Sequence, residues 1–305
     1  MNLKTDHKKT GNKIRRNIIH LSQTGAMAAL LALLPMQSAH AGQDLEKQVK
    51  FDYLEKVLTL RHFYSGEHLK FHSDGSLEGY ASVGPWTVDG QIEVEDVHLQ
   101  GAQLVIKGRR IHRIFDGQTK PLDQLTTVRN QPGKQQKDLE KALQHLKVEI
   151  EIELPSQNPD EKDVSAAIHS VFLTGSDSMM DIVPAYWQSY FAKQEGKPQP
   201  AHQATKGPVS LKPGRGGVLA PHLTYGPDPD YSDEARKARY MGTIVLSLTV
   251  DASGGASDLQ IIRPLGLGLD EKAVAAVSSW KFRPGEKDGE PVPVALNVEV
   301  NFHLY

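Results

Sequence analysis

The sequence predicts an α+β fold: a C-terminal helix–strand–strand–helix–strand module with a three-stranded antiparallel sheet, preceded by a β-meander domain with C-terminal helices. Residues 292–304 alternate between apolar and other side chains, which is the period of a strand. Ala273, Val277 and Trp280 recur at helical spacing. Asp74-Gly75 and Asp89-Gly90 are turn signals between short apolar stretches, as in a meander.

The first residues have the pattern of an export signal. A basic segment comes first, an apolar run over residues 25–36 follows, and Ala39-His40-Ala41 fits a signal-peptidase site. We expect cleavage between Ala41 and Gly42, with the rest of the chain exported. The alternative is an uncleaved transmembrane anchor, with the basic flank in the cytoplasm. Residues 15–19 fit the twin-arginine pattern, so general secretory and twin-arginine export both stay open.

Composition excludes several classes of protein. The 305 residues include no cysteine, which rules out disulfides, thiolate metal sites and a lipidated cysteine anchor. The formal net charge is -2, so no basic field favours nucleic acid.

Proline content divides the mature chain. Seven prolines, together with several glycines, lie between Glu195 and Asp230, and such a stretch favours an extended linker. We therefore predict an export signal or anchor at 1–41, an N-terminal β-rich α+β domain at 42–193, a Pro/Gly-rich linker at 194–230 and a C-terminal domain at 231–305.

The pattern of the N-terminal domain predicts strands followed by helices. Predicted strands cover 69–71, 77–83, 91–99, 103–107, 110–115 and 147–154. A charged helix is predicted over 134–146, and two further helices are predicted after Pro155, the second beginning near Pro184.

The N-terminal domain carries no recognisable catalytic motif. His62, His68 and His72 invite a metal interpretation, but the last two fit one strand face about 13 Å apart, too far to share an ion. Basic residues around Gly108 predict a solvated hairpin turn, or else a site for an anionic partner. Neither G-x-S-x-G nor H-E-x-x-H occurs. We predict no enzyme activity, no cofactor and no metal site.

The C-terminal module has clear element boundaries. A helix is predicted over 232–240 with Ser232 as N-cap, and strands are predicted over 243–250 and 259–262 around the turn at 251–255. A second helix begins at Asp270, and residues 292–305 form one long final strand.

These residues resemble the C-terminal domain of TonB energy transducers. The resemblance runs from Pro221 to the C-terminus and rests on an ordered set of segments: residues 231–236, 242–246, 250–251, 269–270, 280–284 and 298–302. TonB-family proteins transfer energy from the inner membrane to outer-membrane receptors for transport. They bind a short receptor segment, which adds as a strand to their sheet. The resemblance thus implies a TonB-dependent receptor as partner.

Strand addition requires an edge strand with unpaired backbone groups. We expect the final strand to supply that edge. The candidate partner-binding residues are Asn297, Glu299, Asn301, Phe302, His303 and Tyr305.

The N-terminus departs from the family pattern. Typical members keep an anchor with a Ser and a His four residues apart that engages ExbB and ExbD, and this pair is missing here. ExbB/ExbD-like partners are therefore expected only if residues 1–41 remain as an anchor. The alternative function is a periplasmic scaffold that uses the same fold for protein association, with a possible homodimer through the edge and no energy transduction.

Signal cleavage predicts a defined mature N-terminus. Mass spectrometry of the exported protein is expected to find Gly42 as the first residue. A mature chain that retains residues 1–41 would contradict cleavage and support the anchor.

Overall fold

The structure is a computed structural model that describes residues 34–115, 137, 146–199, 209–210 and 217–304. Residues Met1–Gln43 form one unit, and Asp44–Tyr305 form a second, compact unit. The twin-arginine pattern, the apolar run before Leu34 and most of the predicted helix at 134–146 lie outside the described residues.

The first described helix, α1, spans Leu34–Tyr53. Its last turns pack on the N-terminal sheet: Val49 is buried there, and Glu46 accepts a hydrogen bond from the Leu99 N–H at 3.0 Å. Over the described parts of the chain, no helix has the length and apolar character that a membrane crossing needs.

The N-terminal sheet has five strands in the order β1-β3-β4-β5-β2. They are β1 (Val57–Thr59), β2 (His68–Phe71), β3 (Gln91–Gln100), β4 (Gln103–Arg110) and β5 (Lys147–Glu153). The predicted meander is present, because β3, β4 and β5 follow one another as antiparallel neighbours. β2 adds beside β5 in parallel, which places Leu69 and Phe71 in the same apolar core as Ile150 and Ile152.

Three short helices accompany this sheet: α2 (Trp86–Asp89), α3 (Glu161–Val171) and α4 (Ala185–Gln194). α3 begins with a capping box between Asp160 and Asp163, and its buried face packs in the core of the sheet. α4 begins after Pro184, as predicted. Its apolar face lies elsewhere, in a core that it shares with the C-terminal module.

Two predicted strands are wrong. Residues 77–83 and 111–115 form only isolated bridges, among them Tyr64 with Val83 and Ile114 with Gly266, and only Arg110 of the second predicted strand lies in a strand, β4. The predicted turn at Gly108 is also wrong, because this glycine lies inside β4 between Val94 and Val148. A Cβ there would lie 2.2 Å from the Glu93 carbonyl oxygen, so glycine permits the close strand approach.

The C-terminal sheet has the order β10-β9-β14-β6. Its strands are β6 (Val209–Ser210), β9 (Gly242–Val250), β10 (Ala256–Arg263) and β14 (Val294–Phe302). The three-stranded antiparallel sheet is confirmed, and β6 adds a short parallel pairing at Val294 and Ala295. Since Pro293 has no N–H, the predicted long final strand divides there into two strands.

The remaining elements surround this sheet. They are β7 (Val218–Leu219), β8 (His222–Tyr225), α5 (Asp233–Lys237), α6 (Leu269–Ser278), β11 (Lys281–Arg283), β12 (Gly285–Lys287) and β13 (Glu290–Val292). Ser232 caps α5 as predicted, by accepting the Ala235 N–H. Parts of the predicted linker pair with the module, β7 with β12 and β8 with β11.

One hydrophobic core joins residues from both sides of the predicted linker. Trp86, Phe115 and Trp187 pack in the same cluster as Ile244 and Val277 of the C-terminal module. Backbone hydrogen bonds reinforce this contact: the Phe115 N–H donates to Leu265 O, and the Leu267 N–H donates to Arg113 O, both at 3.0 Å. The division of the chain into domains stays a prediction, but these residues fold as one compact unit.

A substitution at Gly266 tests the contact between residues 113–115 and 265–267, which we call the junction. It has φ +91°, and a Cβ would lie 2.1 Å from the Arg113 carbonyl oxygen. Gly266→Ala is expected to lower the free energy of unfolding by about 2 kcal/mol or more, because strain and a clash add. Urea denaturation followed by far-UV circular dichroism measures the change.

Gly79→Ala is the matched control. Gly79 also has a positive φ, +85°, but nothing lies within 4 Å of its added Cβ. We expect Gly79→Ala to lower the free energy of unfolding by about 1 kcal/mol, because only backbone strain contributes. Equal losses for the two variants would contradict the close packing at the junction.

Candidate partner-binding edge

The two long edges of the C-terminal sheet differ in what covers them. At the β10 edge, α4 packs along the strand. The Ser189 N–H on α4 donates to Gln260 Oε1 on β10 at 3.2 Å. The Trp187 Nε1–H on the same helix donates to Glu271 Oε1 on α6 at 2.9 Å. This edge is therefore closed to an added strand.

The β14 edge is closed only at its beginning. β6 pairs with Val294 and Ala295. From Leu296 to Phe302, β14 pairs with β9 on one side, and among the described residues no strand pairs with its other side. The sheet thus offers an open edge of seven residues at β14.

The strand register tells which backbone groups face this open edge. Backbone groups alternate sides along a strand, and the Asp251 N–H donates to Gly255 O on the β10 side. Odd-numbered residues of β9 therefore face β10, and even-numbered residues face β14. Since Val298 pairs with Leu246 and Asn297 with Ser247, Asn297, Glu299 and Asn301 direct their N–H and C=O groups to the open edge.

The outward side chains of β14 form a polar face. Asn297, Glu299 and Asn301 are exposed. Asn301 Oδ1 accepts a hydrogen bond from Thr243 Oγ1 at 2.5 Å, and Glu299 lies 3.6 Å from the Arg263 guanidinium. These contacts direct the Asn301 and Glu299 side chains toward β9 and β10, away from the open edge.

The other candidate residues have different surroundings. Phe302 is 3% exposed, and its ring meets Tyr231 edge to face with centroids 5.4 Å apart. Its side chain belongs to the core and is not available to a partner. His303 is exposed just after the strand. Tyr305 lies outside the described residues, and Ala39, Ala41 and Gly42 lie within α1.

Sequence reasoning missed two parts of this site. Arg263 reaches Glu299 because β10 contains register shifts, which strict alternation does not predict. The cover of the β10 edge comes from α4, far away in sequence. The amphipathic pattern of α4 indicated a buried face, but it did not indicate which surface that face would cover.

The histidines and basic residues singled out in the sequence lie elsewhere. His72 Nδ1 lies 3.1 Å from Glu153, and this hydrogen bond raises the pKa of His72. In the portion of the chain that the structure describes, no group of three or more potential ligands could hold a metal ion.

The predicted basic turn is a set of paired side chains. Lys107 lies 3.0 Å from Glu149, and Arg109 forms an ion pair with Glu93. Arg110 is buried and donates to the carbonyl oxygens of Asp89, Tyr64 and Gly66. The expectation of a solvated turn, or of an anion-binding hairpin, is therefore wrong.

The C-terminal module matches a known protein family. Residues 227–304 match the family described as Gram-negative bacterial TonB protein C-terminal. The module is therefore similar to TonB C-terminal domains. It contains both the open edge of β14 and the covered edge of β10.

Two relatives are similar to the chain in sequence. Protein TonB of Vibrio cholerae serotype O1 is 34% identical over 77 residues, which are 25% of this chain and 32% of that protein. Protein tonB2 of Pseudomonas aeruginosa is 32% identical over 81 residues, 26% of this chain and 30% of that protein. The chain thus spans about a third of the length of these relatives.

A solved structure also aligns with this region. The solution NMR structure of the Pseudomonas aeruginosa TonB CTD is 20% identical, with a TM-score of 0.24, and the match covers 32% of this chain and 93% of that one.

Two variants in β14 should differ in stability, because one side chain lies in the core and the other at the exposed edge. Phe302→Ala is expected to lower the free energy of unfolding by about 3–5 kcal/mol, because it leaves a cavity beside Tyr231. Asn297→Ala is expected to change it by less than about 0.5 kcal/mol, because that side chain is exposed. Urea denaturation of both variants checks this, and a stable Phe302→Ala would contradict the core role.

Proposed function

We propose that this protein binds an extended segment of a TonB-dependent outer-membrane receptor by β-strand addition along β14, as part of energy-coupled transport. The observation that carries the proposal is the open edge of β14 in a TonB-like C-terminal module whose opposite edge is covered by α4. Affinity would come from main-chain hydrogen bonds, so the role is binding and requires no catalytic side chain.

The edge also favours a particular partner pattern. Leu296 and Val298 point to the core side of the sheet but are only half-buried, whereas Val300 further along the strand is buried. Apolar side chains of an added strand would cover Leu296 and Val298. Polar side chains on its other face would lie beside Asn297 and Glu299. We therefore propose a partner segment that alternates apolar and polar residues.

The periplasm is the proposed compartment, reached through the N-terminal export signal. If residues 1–41 stay attached, they would anchor the protein in the inner membrane beside ExbB/ExbD-like partners.

A second candidate function is a periplasmic scaffold that associates through the same edge without coupling to proton flow. One observation favours it. The stretch predicted as a linker folds back on the module through β7 and β8, and α4 packs on β10. The C-terminal module is therefore part of a compact body, which suits protein association better than reaching across the periplasm.

A proline in the open edge tests strand addition. Asn301→Pro removes an N–H that faces the edge, and edge strands tolerate proline there. Binding of synthetic peptides with the N-terminal segments of TonB-dependent receptors from the same organism, measured by fluorescence anisotropy on the full chain, is expected to weaken about tenfold or more.

Asn301→Ala is the control. Both variants lose the side-chain hydrogen bond with Thr243, but only the proline variant loses the edge N–H. Alanine should bind as the original chain does. Unchanged binding by the proline variant with circular dichroism also unchanged would refute addition at β14. Sedimentation that shows a dimer broken by Asn301→Pro, without peptide binding, would support the scaffold.

A further inference from the structure

A cleft of about 760 Å³ lies where the N-terminal half of the compact unit meets the C-terminal module. Residues 61–63, 83–86, 182–184 and 186 form part of its wall, and α5 and α6 form the opposite part. Its volume is in the range of small-molecule sites, which often lie between packed substructures. It is separate from the open edge of β14, since no residue of β14 lines it.

Three residues that line this cleft have a buried polar atom without a hydrogen-bond partner among the described residues. They are Trp86 through Nε1, Tyr231 through its hydroxyl and Glu271 through Oε2. Trp86 is only 4% exposed. Buried polar groups are normally paired, and an unpaired one costs about 1–3 kcal/mol. Three around one cleft indicate a ligand that completes their hydrogen bonds.

The donor and acceptor types restrict that ligand. The Trp86 indole can only donate, an ionised Glu271 carboxylate can only accept, and the Tyr231 hydroxyl can do either. The ligand must therefore present an acceptor oxygen to the indole and a donor to the carboxylate.

The charged and aromatic side chains that line the cleft restrict the ligand further. Asp233, Glu234 and Glu271 bring carboxylates to the lining, together with His62 and the cations Arg61 and Lys272. Arg61 is already engaged, at 2.6 Å from Asp177 and 2.7 Å from the His169 carbonyl oxygen. The excess of acid beside Phe63, Trp86, Tyr186 and Tyr231 favours a cation, which both carboxylates and aromatic faces attract.

We propose that this cleft binds an organic cation that also carries a carbonyl or carboxylate oxygen, the chemistry of an arginine or lysine residue, either free or within a peptide. The cationic group lies against Glu271 Oε2 among the aromatic rings. The oxygen accepts the Trp86 indole N–H, and the Tyr231 hydroxyl completes the contact.

The electrostatic state of Glu271 agrees with this arrangement. Burial raises the pKa of its carboxyl, against the opposing effect of the Trp187 hydrogen bond. This is the direction expected for a desolvated carboxylate without a counter-charge. A bound cation would supply that counter-charge.

The three tryptophans allow a direct test by NMR. In the ¹⁵N-labelled full chain, free L-arginine and the tripeptide Gly-Arg-Gly are titrated as separate arms. Saturable shifts are expected for the indole N–H signals of Trp86 and of Trp187, which donates to Glu271. The Trp280 indole donates to the Pro227 carbonyl oxygen and should not move. A Trp280→Phe variant assigns that control signal.

L-citrulline and two variants make the test specific. Citrulline keeps the shape of arginine without its charge and should bind about tenfold more weakly or worse. Glu271→Gln keeps an oxygen for Trp187 but removes the charge, and should weaken binding about 30-fold or more. Glu290→Gln, an exposed site on β13, should bind like the original chain.

The Tyr231→Phe variant separates a loss of binding from a folding defect. The Tyr231 hydroxyl has no partner among the described residues, so its loss should not lower stability and should weaken binding only. Response to the tripeptide alone assigns the site to a basic residue within a peptide, and response to both arms extends it to the free amino acid. No saturable shift in either arm, or equal binding of citrulline and arginine, would overturn the proposal.

Discussion

An aromatic cluster between α2, α4 and the C-terminal sheet is the contact on which the rest of the structure depends. Trp86 meets Trp187 and Phe191 edge to face, with ring centroids 5.3 and 5.2 Å apart. Phe115 extends the cluster, and its carbonyl oxygen accepts the Tyr240 hydroxyl. Each aromatic pair contributes about 0.5–1.5 kcal/mol beyond its buried area. Together these rings hold the two halves of Asp44–Tyr305 in one body.

This packing decides which surfaces remain for partners. Because α4 is drawn into the aromatic cluster, it lies along β10 and covers that edge of the sheet. β14 is then the long edge that stays open beyond Ala295. The cleft also results from it, because its walls come from both halves and enclose the Trp86 indole and the Glu271 carboxylate. The proposed strand addition and the proposed cation site therefore depend on one junction.

Local patterns predicted most of the C-terminal module. Alternation located β9 and β14, Ser232 marked the cap of α5, and Asn297, Glu299 and Asn301 are exposed on β14 as expected. Elements fixed by long-range contacts were harder to predict. Residues 77–83 look like a strand but form only isolated bridges, and Gly108 looks like a turn but lies inside β4. Phe302 was assigned to the partner surface, although the alternation that exposes Asn301 must bury Phe302.

The sequence by itself determined the α+β class and the alternation of β14, because these follow from the spacing of residues close together in the chain. It also carried the resemblance to TonB C-terminal domains, through an ordered set of short segments. Only the tertiary structure decided that α4 covers β10, that β14 stays open and that Trp86, Tyr231 and Glu271 surround one cleft. Tyr231 and Glu271 lie far from Trp86 in sequence, and no periodicity links them. Their proximity results from burial of the aromatic rings in a shared core, which is a property of the whole fold.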